Sequence, residues 1–257
     1  MSDRVEVLIA ALDCNPESLI DKMNIQTDAI VANQCDENRI YDFNANEHRI
    51  KVLNFNERGV GLNRNNALMR ATAEFCLIAD DDMVYLDGYE EIVLRAFREN
   101  PNADVIIFNL EESIPRRFIN KKIFTVGFFN FMRYGAARMA IRLDSIRTNG
   151  VFFNLCFGGG TDHSHGEDTL FLADCLKKKL HIIAVPDYIA CLTEERESTW
   201  EQGKNEKYLR DQSLLFSLID SRTWKLLCLQ DVIRHGNEFT VSRLKALKIM
   251  LNNGRSM

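Results

Sequence analysis

At 257 residues, 46% of them hydrophobic and 27% charged, the chain has an ordinary soluble composition and enough length to bury a sizeable core. Its net charge of −5 excludes a sequence-wide surface for nucleic acid and leaves room only for a local basic patch. The seven cysteines, an odd number set mostly in apolar runs and without CxxC pairs, imply neither a disulfide framework nor a zinc site. Residues 5–12 run apolar and stop at Asp13-Cys14-Asn15-Pro16, as a buried strand closed by a turn does. Asn15 as cap and Pro16 at the first position open a helix over 16–23. A second strand over 27–36 ends at Asp36, and this β-α-β spacing begins a parallel sheet. A third strand over 50–55 leads through Gly59-Val60-Gly61-Leu62 into a helix that carries Arg64, Asn65, Ala67, Leu68 and Ala71. The fourth strand, Phe75 to Ala79, runs straight into Asp80-Asp81-Asp82. A helix over 89–99 stops at Asn100-Pro101 and gives way to a strand over 104–110.

Three consecutive carboxylates at the end of a buried strand repel one another unless something positive sits among them. In open α/β sheets, ligands bind where such strands end. Hard oxygen donors joined by water and substrate phosphates suit magnesium or manganese. The competing reading is a helix N-terminus, where aspartates cap the first turn and offset the dipole.

Beyond Glu111 the pattern loosens. Residues 113–143 combine Arg116, Arg117, Lys121, Lys122, Arg133, Arg138 and Arg142 with Phe118, Phe124, Phe128, Phe129, Phe131 and Tyr134. With no clean amphipathic period, this stretch reads first as core plus solvated charge, and second as a surface for an anionic acceptor or a membrane. Phe157-Gly158-Gly159-Gly160 opens a glycine-rich loop that runs through His163 and His165 to Gly166-Glu167-Asp168 at the start of a helix. The two histidines read as solvated. A strand over 180–186 follows, then a polar segment over 193–210 containing Trp200 and Lys204, expected as a mobile loop or lid. Helices over 212–219, 222–235 and 241–251 close the chain. The N-terminus lacks a signal-peptide layout and no run reaches the ~18 apolar residues of a spanning helix, so the expected location is cytoplasmic.

Four features stand in one order: the β-α-β start closed by Asp36, the run Gly61-Leu62-Asn63-Arg64-Asn65-Asn66-Ala67-Leu68, Asp80-Asp81-Asp82, and Gly166-Glu167-Asp168. Together they resemble family 2 glycosyltransferases of the GT-A type, in particular bacterial enzymes that build surface polysaccharides. The resemblance covers roughly residues 5–190. It implies a Rossmann-like α/β fold, a doubly wound, mostly parallel sheet with a C-terminal helical extension. It divides the chain into 1–192, with a nucleotide-sugar half at 1–110 and an acceptor half at 111–192, and a loop with helices at 193–257.

The activity it implies is transfer of a sugar from a nucleotide-diphosphate donor, usually a uridine diphosphate sugar, to a hydroxyl of a glycan or lipid-linked glycan, with inversion. In the position of the family's DxD motif, Asp80 and Asp82 are the expected ligands of Mn2+ or Mg2+. Alternation along an extended segment favours that pair, although three acids in a row leave the register open, with Asp81 as a metal ligand in place of one of them, and Asp80 and Asp81 also count as donor contacts. Asp36 matches the family's nucleobase or ribose contact, or else it caps a turn. Arg64 matches an arginine that meets the diphosphate or braces the acids. Asp168 matches the base that takes the acceptor's proton, with Glu167 second, and the competing reading of both is a dipole-compensating pair. Gly159 and Gly160 approach the acceptor or simply turn the chain, and Trp200 and Lys204 close over the donor if the polar segment folds there. The processive synthases' Gln-x-x-Arg-Trp pattern is absent, so single transfers are expected, from a cytoplasmic protein at the inner face of the membrane. Two rivals remain. A sugar nucleotidyltransferase would need a glycine-and-basic loop after the first strand, which Leu12-Asp13-Cys14-Asn15-Pro16 does not provide. A catalytically silent binding protein would bind a partner without turnover.

Overall fold

The computed structural model describes residues 4–114, 117–193 and 204–253. Strand β1 (Val5–Leu12) lies between β2 (Asp28–Gln34) and β5 (Phe75–Asp80), parallel to both. Covered on both faces, these strands tolerate apolar residues at every position, which is why they read as continuous runs. Helix α1 (Pro16–Lys22) connects β1 to β2, and Asn15 caps it by accepting from the Ser18 N–H at 2.9 Å. Beyond β2 come β3 (Arg39–Ala45) and β4 (His48–Phe55), the latter parallel to β2.

Strand β3 pairs antiparallel with β4 at the sheet edge and was not expected from the sequence. The hairpin turns on Asn46 and Glu47, both left-handed at φ 49° and 68°. A two-residue turn of this kind ordinarily advertises itself with glycine, and Glu47 conceals it.

Helix α2 (Val60–Arg70) returns to β5, and β6 (Met83–Tyr85) and α3 (Tyr89–Glu99) lead to β7 (Val105–Glu111). In the loosely patterned stretch, β8 (Phe124–Val126) is followed by two 3-10 turns, β9 (Met139–Arg142) and α4 (Leu143–Thr148). Strand β9 inserts antiparallel between β5 and β7. Helix α5 (Glu167–Lys177) precedes β10 (Ile182–Leu192), which runs parallel to β7 and antiparallel to β6 and β8. The expected stop at Pro186 is instead a register shift between Ala184 and Tyr188, since a residue without N–H interrupts a ladder but need not end the strand. The sheet order is β3-β4-β2-β1-β5-β9-β7-β10-β6, with β8 on β10.

Side-chain alternation sorts the core into two layers. Val7, Ile9, Leu77 and Ile106 pack with α1 and α3 on one face. Leu8, Ile30, Ile78 and Ile107 pack with α2 and α5 on the other. That second layer continues without a break into α6 (Glu206–Ile219), α7 (Trp224–His235) and α8 (Arg243–Asn253), through Leu209, Phe216, Cys228 and Met250. Helix α6 begins earlier than expected. Asn205 accepts from the Tyr208 N–H at 3.0 Å, so 206–210, expected as the end of a lid, is a capped first turn of helix. Trp200 lies outside the described residues. Among the described residues no helix is long and apolar enough to cross a membrane.

Candidate active site

The parallel strands β1, β2, β4, β5 and β7 all end at one edge, and the polar residues singled out in the sequence gather there. Helix α2 delivers Arg64. Its position is fixed by two asparagines that the apolar pattern did not foretell: Asn63 donates to the carbonyls of Ala32 (2.7 Å) and Ala11 (3.3 Å) at the strand ends. Asn65 exchanges two hydrogen bonds with the Phe153 backbone, at 2.8 and 2.9 Å. The legible signal was Asn63-Arg64-Asn65-Asn66 in mid-helix, because polar groups on a buried face need partners. Close approach also demands glycine. A Cβ at Gly61 would lie 2.3 Å from the Asn154 carbonyl oxygen, and one at Gly158 (φ 102°) would lie 2.8 Å from the Glu167 carboxyl.

At the centre sits the Arg64 guanidinium, 5% exposed. Nη2 donates to Asp80 Oδ1 at 2.6 Å, and Nη1 donates to Glu167 Oε1 at 3.0 Å and Asp168 Oδ1 at 2.7 Å. Three carboxylates from two distant segments thus converge on one cation, and the fork shape of arginine is what permits it. Burial works against the charge on Arg64, but Asp80, Asp168 and Glu167 together outweigh it and hold its pKa above the ordinary arginine value. Of the groups Arg64 was expected to meet, the acids are the ones in contact with it here. Asp168 is fixed from its other side by the Ala136 N–H, which donates to Oδ2 at 2.9 Å.

Burial, reinforced by Asp168 and opposed by Arg64, pushes Glu167 up to about 7. The folded protein therefore binds a proton at Glu167 more tightly than the unfolded chain does. This stabilisation is fully present below the unfolded value of 4.5 and is lost as pH rises through about 7. Glu167→Gln should accordingly leave stability nearly unchanged at pH 4 and raise it at pH 8 by on the order of 2 kcal/mol. Thermal unfolding at the two pH values checks this, and equal effects at both would refute it.

Asp81 and Asp82 form the turn between β5 and β6, so the alternation expected of an extended segment does not apply to them. Asp81 Oδ2 accepts from the Leu12 N–H at 3.4 Å. The Asp82 carbonyl accepts from the Thr193 N–H at 2.9 Å, while burial, then Asp80 and Asp81, push its carboxyl above the usual aspartate value. A cavity of about 300 Å3 opens between this turn and the end of β1, lined by Asp13, Cys14, Asn15, Lys22, Asp81 and Asp82 among others.

Other expected residues lie elsewhere. Asp36 is an exposed residue beyond β2 whose carboxylate pairs with Arg58 at 2.9 Å. Gly159 accepts from the Val60 N–H at 2.9 Å, and a Cβ at Gly160 (φ 83°) would lie 2.9 Å from the Gly59 nitrogen, so both close the loop over the start of α2. Lys204 pairs with Glu238 at 2.7 Å. The histidines are not solvated as expected: His163 Nδ1 lies 2.9 Å from Asp211, and buried His165 lies 2.9 Å from Gln212, tying the glycine loop to α6.

A doubly wound sheet with an acidic turn at its ligand-binding edge and helices appended is the GT-A architecture. The model for glycosyl transferase family 2 matches residues 17–157, more than half of the chain, and the chain belongs to that family. The matched span ends before Glu167 and Asp168, which the ion pairs of Arg64 bind to it. Among solved structures, the chain is similar to S. aureus TarS 1–349 in complex with UDP-GlcNAc, with a TM-score of 0.65 at 16% identity over 94% of this chain and 74% of that one. The same TarS segment in complex with UDP gives 0.61 at 16% identity over 91% and 72%. The structure of S. aureus TarS itself gives 0.58 at 14% identity over 99% and 44%. No curated protein sequence matches the chain.

Proposed function

We propose that the protein transfers a sugar from a nucleotide-diphosphate donor, a uridine diphosphate sugar, to an acceptor hydroxyl with inversion, as a step in bacterial surface-polysaccharide synthesis. The observation that carries this is the convergence of Asp80, Glu167 and Asp168 on buried Arg64, which joins the donor-side acids to the acceptor-side pair. Family membership gives the reaction class, and the UDP and UDP-GlcNAc complexes of TarS favour a uridine donor. On this reading, residues 1–110 hold the donor, 111–192 shape the acceptor side, and 193–257 complete it.

The carboxylates of Asp80 and Asp82, with Asp81 adjacent, suit a hard divalent ion. One arginine among this many acids leaves a surplus of negative charge, and Asp82 is held against its own ionisation by burial and both neighbours. Among the described residues no group of three His, Cys, Asp or Glu stands ready for a metal, so phosphate and water oxygens complete the shell. Bound Mn2+ or Mg2+ supplies neutralisation of the charge that grows on the departing diphosphate. Arg64 holds Asp80 and Asp168 in fixed relation, and Asp168 accepts the proton of the attacking hydroxyl. The cavity beside Asp13 and Asn15 suits the nucleoside, while Asp36, exposed beyond β2, offers an acceptor for a base or ribose hydrogen. The alternative of a silent binding protein is disfavoured by the ordered acid cluster, which a scaffold would have no reason to hold at such electrostatic cost.

A screen of nucleotide sugars with and without manganese is expected to show protein-dependent release of nucleotide diphosphate with one donor. Asp82→Ala should lower that release by about 100-fold or more, since a charge-stabilising contact is worth that much. Absence of release and of nucleotide binding in the presence of metal would overturn the reading.

A further inference from the structure

One face of this acidic chain has the opposite character. Among the described residues between β7 and β9 stand only β8 and two 3-10 turns and no α-helix, and Ile119, Ile123, Phe128, Phe129 and Met132 are exposed, Phe129 entirely so. Lys121, Lys122 and Arg133 are exposed among them, and among the described residues no ion pair involves any of the three. Two contacts anchor this stretch. The Arg133 guanidinium lies 4.4 Å over the ring of Phe118, joining the two segments, and Phe128 packs edge-on against buried Phe131 at 5.9 Å, which roots the turn in the core.

Large apolar side chains grouped in this way mark a surface that is covered in use. Glu111 and Glu112 border this stretch beside Phe118 and Ile119, and Glu112 pairs with Arg117, so among the described residues the charge it presents outside ion pairs is that of Lys121, Lys122 and Arg133, which selects among covers. A two-fold contact with a second copy would set Lys121, Lys122 and Arg133 against themselves, and the cores of protein interfaces are depleted in lysine. Apolar tips ringed by cations match an anionic bilayer, where the tips enter the boundary between headgroups and chains and the cations meet phosphate.

We propose that this face docks the protein on a membrane surface containing anionic lipid, with Ile123, Phe128 and Phe129 inserting and Lys121, Lys122 and Arg133 at the headgroups. Three residues beyond Arg133, the Ala136 N–H holds the Asp168 carboxylate. Docking therefore sets the acceptor side of the site against the bilayer, where a lipid-linked acceptor would arrive. That consequence rests on the glycosyl-transfer reading; the docking itself does not.

Co-sedimentation of the full chain with vesicles of phosphatidylcholine alone, and with phosphatidylglycerol added, tests the proposal. Binding is expected only to the anionic vesicles, weakening as salt is raised. Phe129→Ser, and separately Lys121→Gln with Lys122→Gln, should each reduce partitioning by about tenfold or more. Both variants should keep the parent's melting temperature and its release of nucleotide diphosphate in solution. No sedimentation with either vesicle, or sedimentation that both variants retain, overturns the proposal. A dimer in solution that Phe129→Ser dissolves, without vesicle binding, also overturns it and gives the face to a second copy. Vesicle binding by a protein that transfers no sugar would uphold the docking while removing the function proposed above.

Discussion

Arg64→Leu is expected to destabilise the protein by about 3 kcal/mol at pH 8 and to abolish nucleotide diphosphate release. The guanidinium is buried and touches Asp80, Glu167 and Asp168 at 2.6–3.0 Å. Removing it leaves three carboxylates facing one another without a counter-charge, and the cost of such orphaned charge dominates over the lost packing. The figure lies at the low end of the range for broken buried pairs because the Asp80 side chain is 37% exposed and water screens it. For a chain of this length the loss corresponds to roughly 6–12 °C in melting temperature. It should shrink at pH 5, where Glu167, whose folded-state pKa is about 7, is protonated and the repulsion falls. Arg64→Lys is expected to recover only part, since one ammonium cannot reach acids on both sides with a fork's geometry. Thermal unfolding of the three proteins at both pH values decides the matter. A leucine variant as stable as the parent at pH 8 would mean that the convergence on Arg64 is not structural.

The parallel half of the sheet was legible because strands covered on both faces leave unbroken apolar runs, as in β1, β2, β5 and β7. Strand β3 was not, because at the sheet edge Ile40 is exposed and Tyr41 and Phe43 only partly buried, and its turn lacks glycine. Strand β9 escaped notice for a different reason. Met139 to Arg142 is too short to show a period, and its place between β5 and β7 is a tertiary fact. The stretch over 113–143 defeated periodicity too, since its exposed Phe128 and Phe129 sit on one short turn and not on a helical stripe. Each acid of the site could be picked out alone. Their meeting could not, because Arg64 reaches partners 103 and 104 residues away through packing of α2 against the 153–160 segment. His163 and His165 were misread for the same reason, their partners standing on α6, a helix whose polar first turn disguised its start.

Asp168→Asn is expected to reduce sugar transfer by about 100- to 10,000-fold while leaving donor affinity within about threefold of the parent. Of the Glu167-Asp168 pair, Asp168 has the more accessible carboxylate, with a side chain 25% exposed against 9% for Glu167. Its two oxygens are oriented by Arg64 and the Ala136 N–H, each of which leaves a lone pair for a hydroxyl proton. Asparagine preserves volume and one acceptor but turns an amide toward a donor, so a modest loss of stability accompanies the change. Melting curves separate that loss from the chemical one. Glu167→Gln, changing a buried group that reaches substrate only through Arg64, should slow transfer far less. The decisive quantity is the split between turnover and donor binding. Full transfer by Asp168→Asn would remove the base assignment, and a collapse of donor affinity would move Asp168 to the donor side of the cluster, where Arg64 joins it to Asp80.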